Sequence, residues 1–127
     1  MSKADEVSEA RAKWRDLKDA CAKAGGKNLF GSDDLGPALD TMAKCVAIVE
    51  MGSKVPQDAK GKKALEKARG DGRAAAEKAK KAAAKYRDLA QDALGKTESK
   101  ALKAALRNAV TGLNGCHKIA SGVAHML

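Results

Sequence analysis

Residues 73–94 read RAAAEKAKKAAAKYRDLAQDAL, and within them Ala75, Ala79, Ala82, Tyr86, Leu89 and Ala93 recur at alternating steps of four and three. A repeat averaging about 3.5 residues keeps one narrow stripe on one side of an α-helix, and that stripe must be buried against a partner. Read backwards, the stripe continues through Gly72, Ala68 and Leu65. The same spacing marks three other stretches: Val7, Ala10, Trp14, Leu17, Cys21 and Ala24; Leu35, Leu39, Met42, Val46 and Val49; and Leu102, Leu106, Ala109, Leu113, Cys116, Ala120, Val123 and Leu127. Four striped helices in 127 residues predict an all-α fold, an antiparallel up-down-up-down four-helix bundle with an Ala-rich core, forming one domain over residues 1–127.

Caps and breakers place the boundaries. Ser2 is the expected N-cap of helix one, with Asp5 and Glu6 in the first turn, and Gly25-Gly26 should end it. Helix two should start between Asp34 and Pro37 and end near Gly52. Val55-Pro56 should open helix three, with a kink or a break near Gly70-Gly72, because Gly inside a helix costs about 1 kcal/mol relative to Ala. Gly95 should close that helix and Thr97 should cap helix four. In the long connection after helix one, Leu29 and Phe30 are expected to fold back over one end of the core rather than to form an exposed docking site.

Composition narrows the class. Aromatic residues are 2 % of the chain, so Ala at the seams must bring the helix axes close together, and Trp14 is expected as a core anchor rather than a ligand-stacking platform. Cys21, Cys45 and Cys116 are odd in number and far apart, which argues for reduced, buried thiols instead of a disulfide framework. With no apolar secretory segment near Met1 and no run of about 20 apolar residues, the expectation is a soluble cytoplasmic protein, export without a cleaved signal being the alternative. The net charge of +9 is lopsided: residues 1–53 carry 8 Lys and Arg against 9 Asp and Glu, whereas residues 54–127 carry 17 against 7. Such asymmetry calls for an acidic partner: an acidic protein face, nucleic acid or an anionic surface.

The cations fall in order. Lys78, Lys81 and Lys85 share one flank of the exposed side of helix three, and Arg73, Lys80 and Arg87 share the other, with Lys103 and Arg107 following on helix four. The run from Lys78 to Lys85 resembles the Ala/Lys-rich segments of linker-histone tails, which implies phosphate contacts without base reading. Glu77, Asp88 and Asp92 are interspersed, so a merely solvated helix face competes with this reading.

Helix four offers less. His117 and His125 lie two turns apart, about 12 Å along the axis, and do not share a metal ion. The segment His117-Lys118-Ile119-Ala120-Ser121-Gly122 resembles the phosphoacceptor segment of histidine phosphotransfer domains, which implies a bundle that carries a phosphoryl group on His117. It departs from that pattern at Ala120, where the family has Lys, and at Ser121, where it has Gly, so the neutralising cation is missing. Haem held by Met42 with His117 or His125 would need a cavity that an Ala-rich seam does not leave. Gly112, Gly115 and Gly122 let another backbone approach, and helix one or helix three is a nearer candidate than a second copy in a homo-oligomer.

The readings rank accordingly. First stands a non-enzymatic binding or adaptor module that engages a macromolecular partner, foremost a protein, through its surface. Second is a nucleic-acid-associated protein using the surface of residues 60–107, with Arg73, Lys78, Lys80, Lys81, Lys85, Arg87, Lys103 and Arg107 as anion-binding residues. Third is a phosphotransfer or ligand-sensing bundle centred on His117. No catalytic residue, metal or cofactor is expected, since no converging carboxylates, phosphate-cradling loop or nucleophile–base pair occurs.

Overall fold

Each helix begins where a short polar side chain can accept from the free N–H groups of its first turn. In the computed structural model, which describes residues 2–52 and 58–127, α1 spans Lys3–Lys23, α2 Leu35–Gly52, α3 Ala59–Lys96 and α4 Lys100–Met126. Ser2 accepts from the Asp5 N–H, Asp58 from the Gly61 N–H and Ser99 from the Leu102 N–H. Helix one ends in a Schellman motif: Gly25 sits at φ +106° and donates to the Ala22 carbonyl, while Gly26 donates to that of Cys21.

Three boundary expectations change. Thr97 does not cap α4; it is the C-cap of α3 and accepts from the Ser99 N–H, leaving the N-cap to Ser99. Gly95 lies inside the last turn of α3, which runs on to Lys96. No break separates a short segment from α3: the helix continues through Gly70 and Gly72. Gly72 is there for close approach, since a Cβ at that position would meet Leu127 Cδ1 and lie 3.0 Å from Cys45 Cβ. Val55-Pro56 fall outside the described residues, within which α3 starts at Ala59.

Paired side chains give the topology. Ala4 and Arg11 of α1 meet Glu50 and Asp40 of α2, so the two run antiparallel. Gly52 lies beside Leu65 while Asp34 lies beside Tyr86, which reverses α3 on α2. Gly72 beside Leu127 and Arg87 on Asn114 reverse α4 on α3, and Lys3 by Gly122 with Leu17 by Gly112 close the ring between α4 and α1. The result is the expected four-helix bundle with each helix packed on its two neighbours.

The seams are wider than one stripe. Trp14, Val46, Leu106 and Leu113 are buried, as are all three cysteines, and Phe30 and Leu29 close over the core from the connection. Leu17 and Leu89 are half-buried, not buried: they flank the core, Leu17 lying against Gly112. On α3 Ala76, Ala83 and Ala90 are buried as well and form a second line beside Ala75, Ala79, Ala82 and Tyr86. A helix with neighbours on two sides needs two adjacent lines, and Ala lets both neighbours come close.

Candidate anion-binding site

An aromatic and polar latch sets the rotation of α3, and with it the site. Trp14 of α1, Phe30 of the connection and Tyr86 of α3 pack with ring centroids 5.2 to 5.6 Å apart, Trp14 and Tyr86 being stacked. Asp33 Oδ1 accepts from Trp14 Nε1 at 3.0 Å and from the N–H groups of Leu35 and Gly36 at 3.1 and 2.9 Å, so one oxygen satisfies a buried indole and caps α2. Its other oxygen takes Lys18 Nζ at 2.7 Å. Burial pushes the Asp33 carboxyl up, but the Gly36, Lys18 and Trp14 hydrogen bonds and the Lys18 charge outweigh it, and the group ends below its ordinary value. The Tyr86 hydroxyl donates to the Ser32 carbonyl at 2.6 Å and accepts from the Asp34 N–H at 2.8 Å. Burial, with the neighbouring Asp34 and Asp33 charges, raises the phenol.

With Tyr86 pinned inward, Lys78, Lys81 and Lys85 face α2. They border a groove of about 660 Å³ between α2 and α3, whose floor is mainly Pro37, Ala38, Ala74, Ala75 and Ala82. Asp33, Asp34 and Asp71 also line it; Asp33 is neutralised by Lys18, and Lys85 Nζ lies 3.8 Å from an Asp34 oxygen with both side chains mostly exposed, a weak pair.

The two flanks of α3 differ in degree: among the described residues one of the three lysines facing α2 is ion-paired, Lys85, against two of the three cations on the other flank, where Arg73 is unpaired. Glu77 pairs with Lys80 at 3.4 Å and Asp88 with Arg87 at 3.6 Å, and Arg87 also donates to Asn114 of α4. The carboxylates on the outward ridge thus turn towards the α4 side. Lys78 and Lys81 have no ion-pair partner among the described residues. Arg73 shares the heptad line of Lys80 and Arg87, and Lys103 and Arg107 share the α4 face of Asn114. The eight candidate cations are therefore not one cluster: three line the α2 groove and five lie towards α4.

Charge is concentrated on one side of the bundle. Helix α3 holds 12 Lys and Arg against 5 Asp and Glu and α4 holds 4 against none, whereas α1 holds 6 against 5 and α2 holds 1 against 2. His117 is half-buried and His125 exposed, and among the described residues no group of three His, Cys, Asp or Glu gathers to hold a metal. Burial pushes the Cys116 thiol up to about 11, and Cys21 and Cys45 upward as well. No described helix is long and apolar enough to cross a membrane.

Sequence reasoning missed Asp33. Its place before Leu35-Gly36-Pro37 signals a cap, but nothing local signals that Trp14 and Lys18 converge on it. No family model, curated protein or solved structure matches this chain.

Proposed function

We propose that the protein is a non-enzymatic binding module that engages an acidic macromolecular partner along the α2-facing flank of α3. One observation carries this reading: among the described residues Lys78 and Lys81 stand without an ion-pair partner beside an apolar groove and Lys85 is only weakly paired with Asp34, whereas on the other flank Lys80 and Arg87 pair with Glu77 and Asp88 and Arg73 alone of the three is unpaired. A solvated face with no partner needs no such sorting, because scattered pairs of both signs serve solubility equally well. The groove supplies apolar area and the lysines supply steering and register. Among the described residues no group of three His, Cys, Asp or Glu gathers to hold a metal, and burial raises all three thiols, so the reading assigns the flank binding alone.

The test is binding of polyglutamate and of a duplex of about 20 base pairs at low salt. Lys78→Glu, Lys81→Glu and Lys85→Glu together should weaken binding by at least about tenfold, whereas the same charge change on α1, at Lys13, Arg15 and Lys23, should cost far less. Equal losses from both triples, or no binding of either polyanion, would overturn the reading.

A further inference from the structure

The lysine flank is longer than the groove that first draws attention to it. Lys60, Lys63 and Lys67 precede Lys78, Lys81 and Lys85 by 18 residues each, which is five turns of an α-helix, so the two triplets point the same way about 27 Å apart. All six are exposed; Asp71 and Glu77 lie between the triplets, Asp71 on the heptad line of Lys78 and Lys85 and Glu77 paired with Lys80, and Glu66 lies within the first. Lys60 and Lys63 stand N-terminal to Leu65, the α3 residue beside the end of α2, so this part of α3 extends past the described ends of α2 and α4.

Apolar surface runs alongside. Pro37 and Thr41 of α2 face the groove, and Ile48, seven residues after Thr41 on the same helix face, is 47 % exposed. The opposite wall is Ala74, Ala75 and Ala82. A shallow apolar channel bordered on one side by cations at steps of three and four is complementary to one kind of object. We infer that the α2–α3 channel receives an acidic amphipathic α-helix of a partner protein, laid along α3 as a fifth helix. Its apolar line covers Pro37, Ala38, Ala74 and Ile48, and its Asp or Glu residues, repeating at three and four, meet Lys67, Lys78, Lys81 and Lys85.

Helical period decides for this occupant. Cations spaced by a helical repeat match carboxylates on an equal repeat, as flanking charges do between paired helices, and Ala walls admit a close backbone. Nucleic acid would use the same lysines but leaves the apolar channel and Ile48 without a role. Trp14, Phe30 and Tyr86 are all buried, so no aromatic platform stacks a base. The inference rests on the lysine flank being the docking side and adds the partner's chemistry and shape.

Selection from a library of random peptides of about 20 residues against the whole protein tests it, with a duplex oligonucleotide of similar length as the second probe. Enriched peptides should carry Asp or Glu and apolar residues on adjacent faces of one helix, should gain helical circular dichroism on binding, and should lose at least about tenfold in affinity to the Lys78→Glu/Lys81→Glu/Lys85→Glu protein. Exchanging the peptide's carboxylates for lysines should restore binding to that variant. Since these lysines are exposed, Lys→Gln at the same positions gives a milder version of the same loss. Enriched peptides that are acidic but indifferent to scrambling would sink the inference while leaving the lysine flank as the docking side, as would tight duplex binding with no helical peptide selected. Peptides indifferent to all three lysines would overturn both.

Discussion

Replacing Asp33 with Ala removes three functions from one side chain. The Trp14 indole N–H, in a ring with no exposed surface, loses its acceptor, and leaving a buried donor unsatisfied costs about 1–3 kcal/mol. The first turn of α2 loses its cap, worth about 0.5–2 kcal/mol, and Lys18 loses a half-buried partner at 2.7 Å. Together these predict a loss of about 2–4 kcal/mol, because effects within one network overlap instead of adding. Asp34, the next residue, provides the control: among the described residues its side chain makes one ion pair, with Lys85 at 3.8 Å across an exposed gap, so Asp34→Ala should cost a few tenths of a kcal/mol. Urea unfolding followed by the Trp14 fluorescence reads both variants, with the midpoint moving and the slope unchanged. The pH dependence gives a second readout. Since the folded-state pKa of Asp33 lies below its unfolded value, the ionised carboxylate contributes stability above about pH 4, and that contribution is lost as pH falls through the folded value. Asp33→Asn should flatten this acid limb while keeping an oxygen for Trp14. An Asp33→Ala protein within about 0.5 kcal/mol of Asp34→Ala would refute the latch.

Leu106, with no exposed surface among the core residues of α4, should cost about 2–5 kcal/mol when replaced by Ala, checked by thermal or urea unfolding. Two glycines two residues apart on α3 should respond with opposite sign: Gly70→Ala, whose Cβ meets nothing within 4 Å, should gain up to about 1 kcal/mol, and Gly72→Ala should lose stability against Cys45 and Leu127. At mildly alkaline pH, Cys21, Cys45 and Cys116 should resist a thiol reagent in the native protein and react at once in denaturant, Cys116 slowest, since burial holds its thiol up to about 11.

The seams were legible because Leu, Val and Met recur at a helical period whatever the neighbours are. Ala signals a seam only where larger residues share its period, as Leu65, Tyr86 and Leu89 do with Ala75, Ala79 and Ala82. Ala76, Ala83 and Ala90 read the same whether they face solvent or a second helix, so only one of the two buried lines of α3 stood out. Leu17 and Leu89 misled in the opposite direction: both sit on the expected period, but two neighbours rotate the core of α1 and α3 past them, and they end half-buried. Thr97 and Ser99 are equivalent as caps on composition, and the difference is two residues of chain before the turn is hydrogen-bonded. On the surface, periodicity divided the cations of α3 into Lys78, Lys81, Lys85 and Arg73, Lys80, Arg87. Which flank faces α2 depends on Tyr86 reaching Ser32 and Asp34 across more than fifty residues of chain, and no local pattern contains that. The recurrence of the lysine triplet five turns away gains its meaning only once α3 is one unbroken helix, which two glycines in the sequence argue against.

Amide chemical-shift mapping of the whole protein with polyglutamate at low salt tests the central claim most directly, since it reports where an acidic partner lies without altering a residue. Shifts should concentrate on residues 60–85 of α3 and on the groove-facing residues of α2 from Pro37 to Ile48, and fade as salt screens the lysines. Shifts centred on the α1–α4 groove around Gly115 and Lys118, or spread evenly over Arg73, Arg87, Lys103 and Arg107, would contradict it.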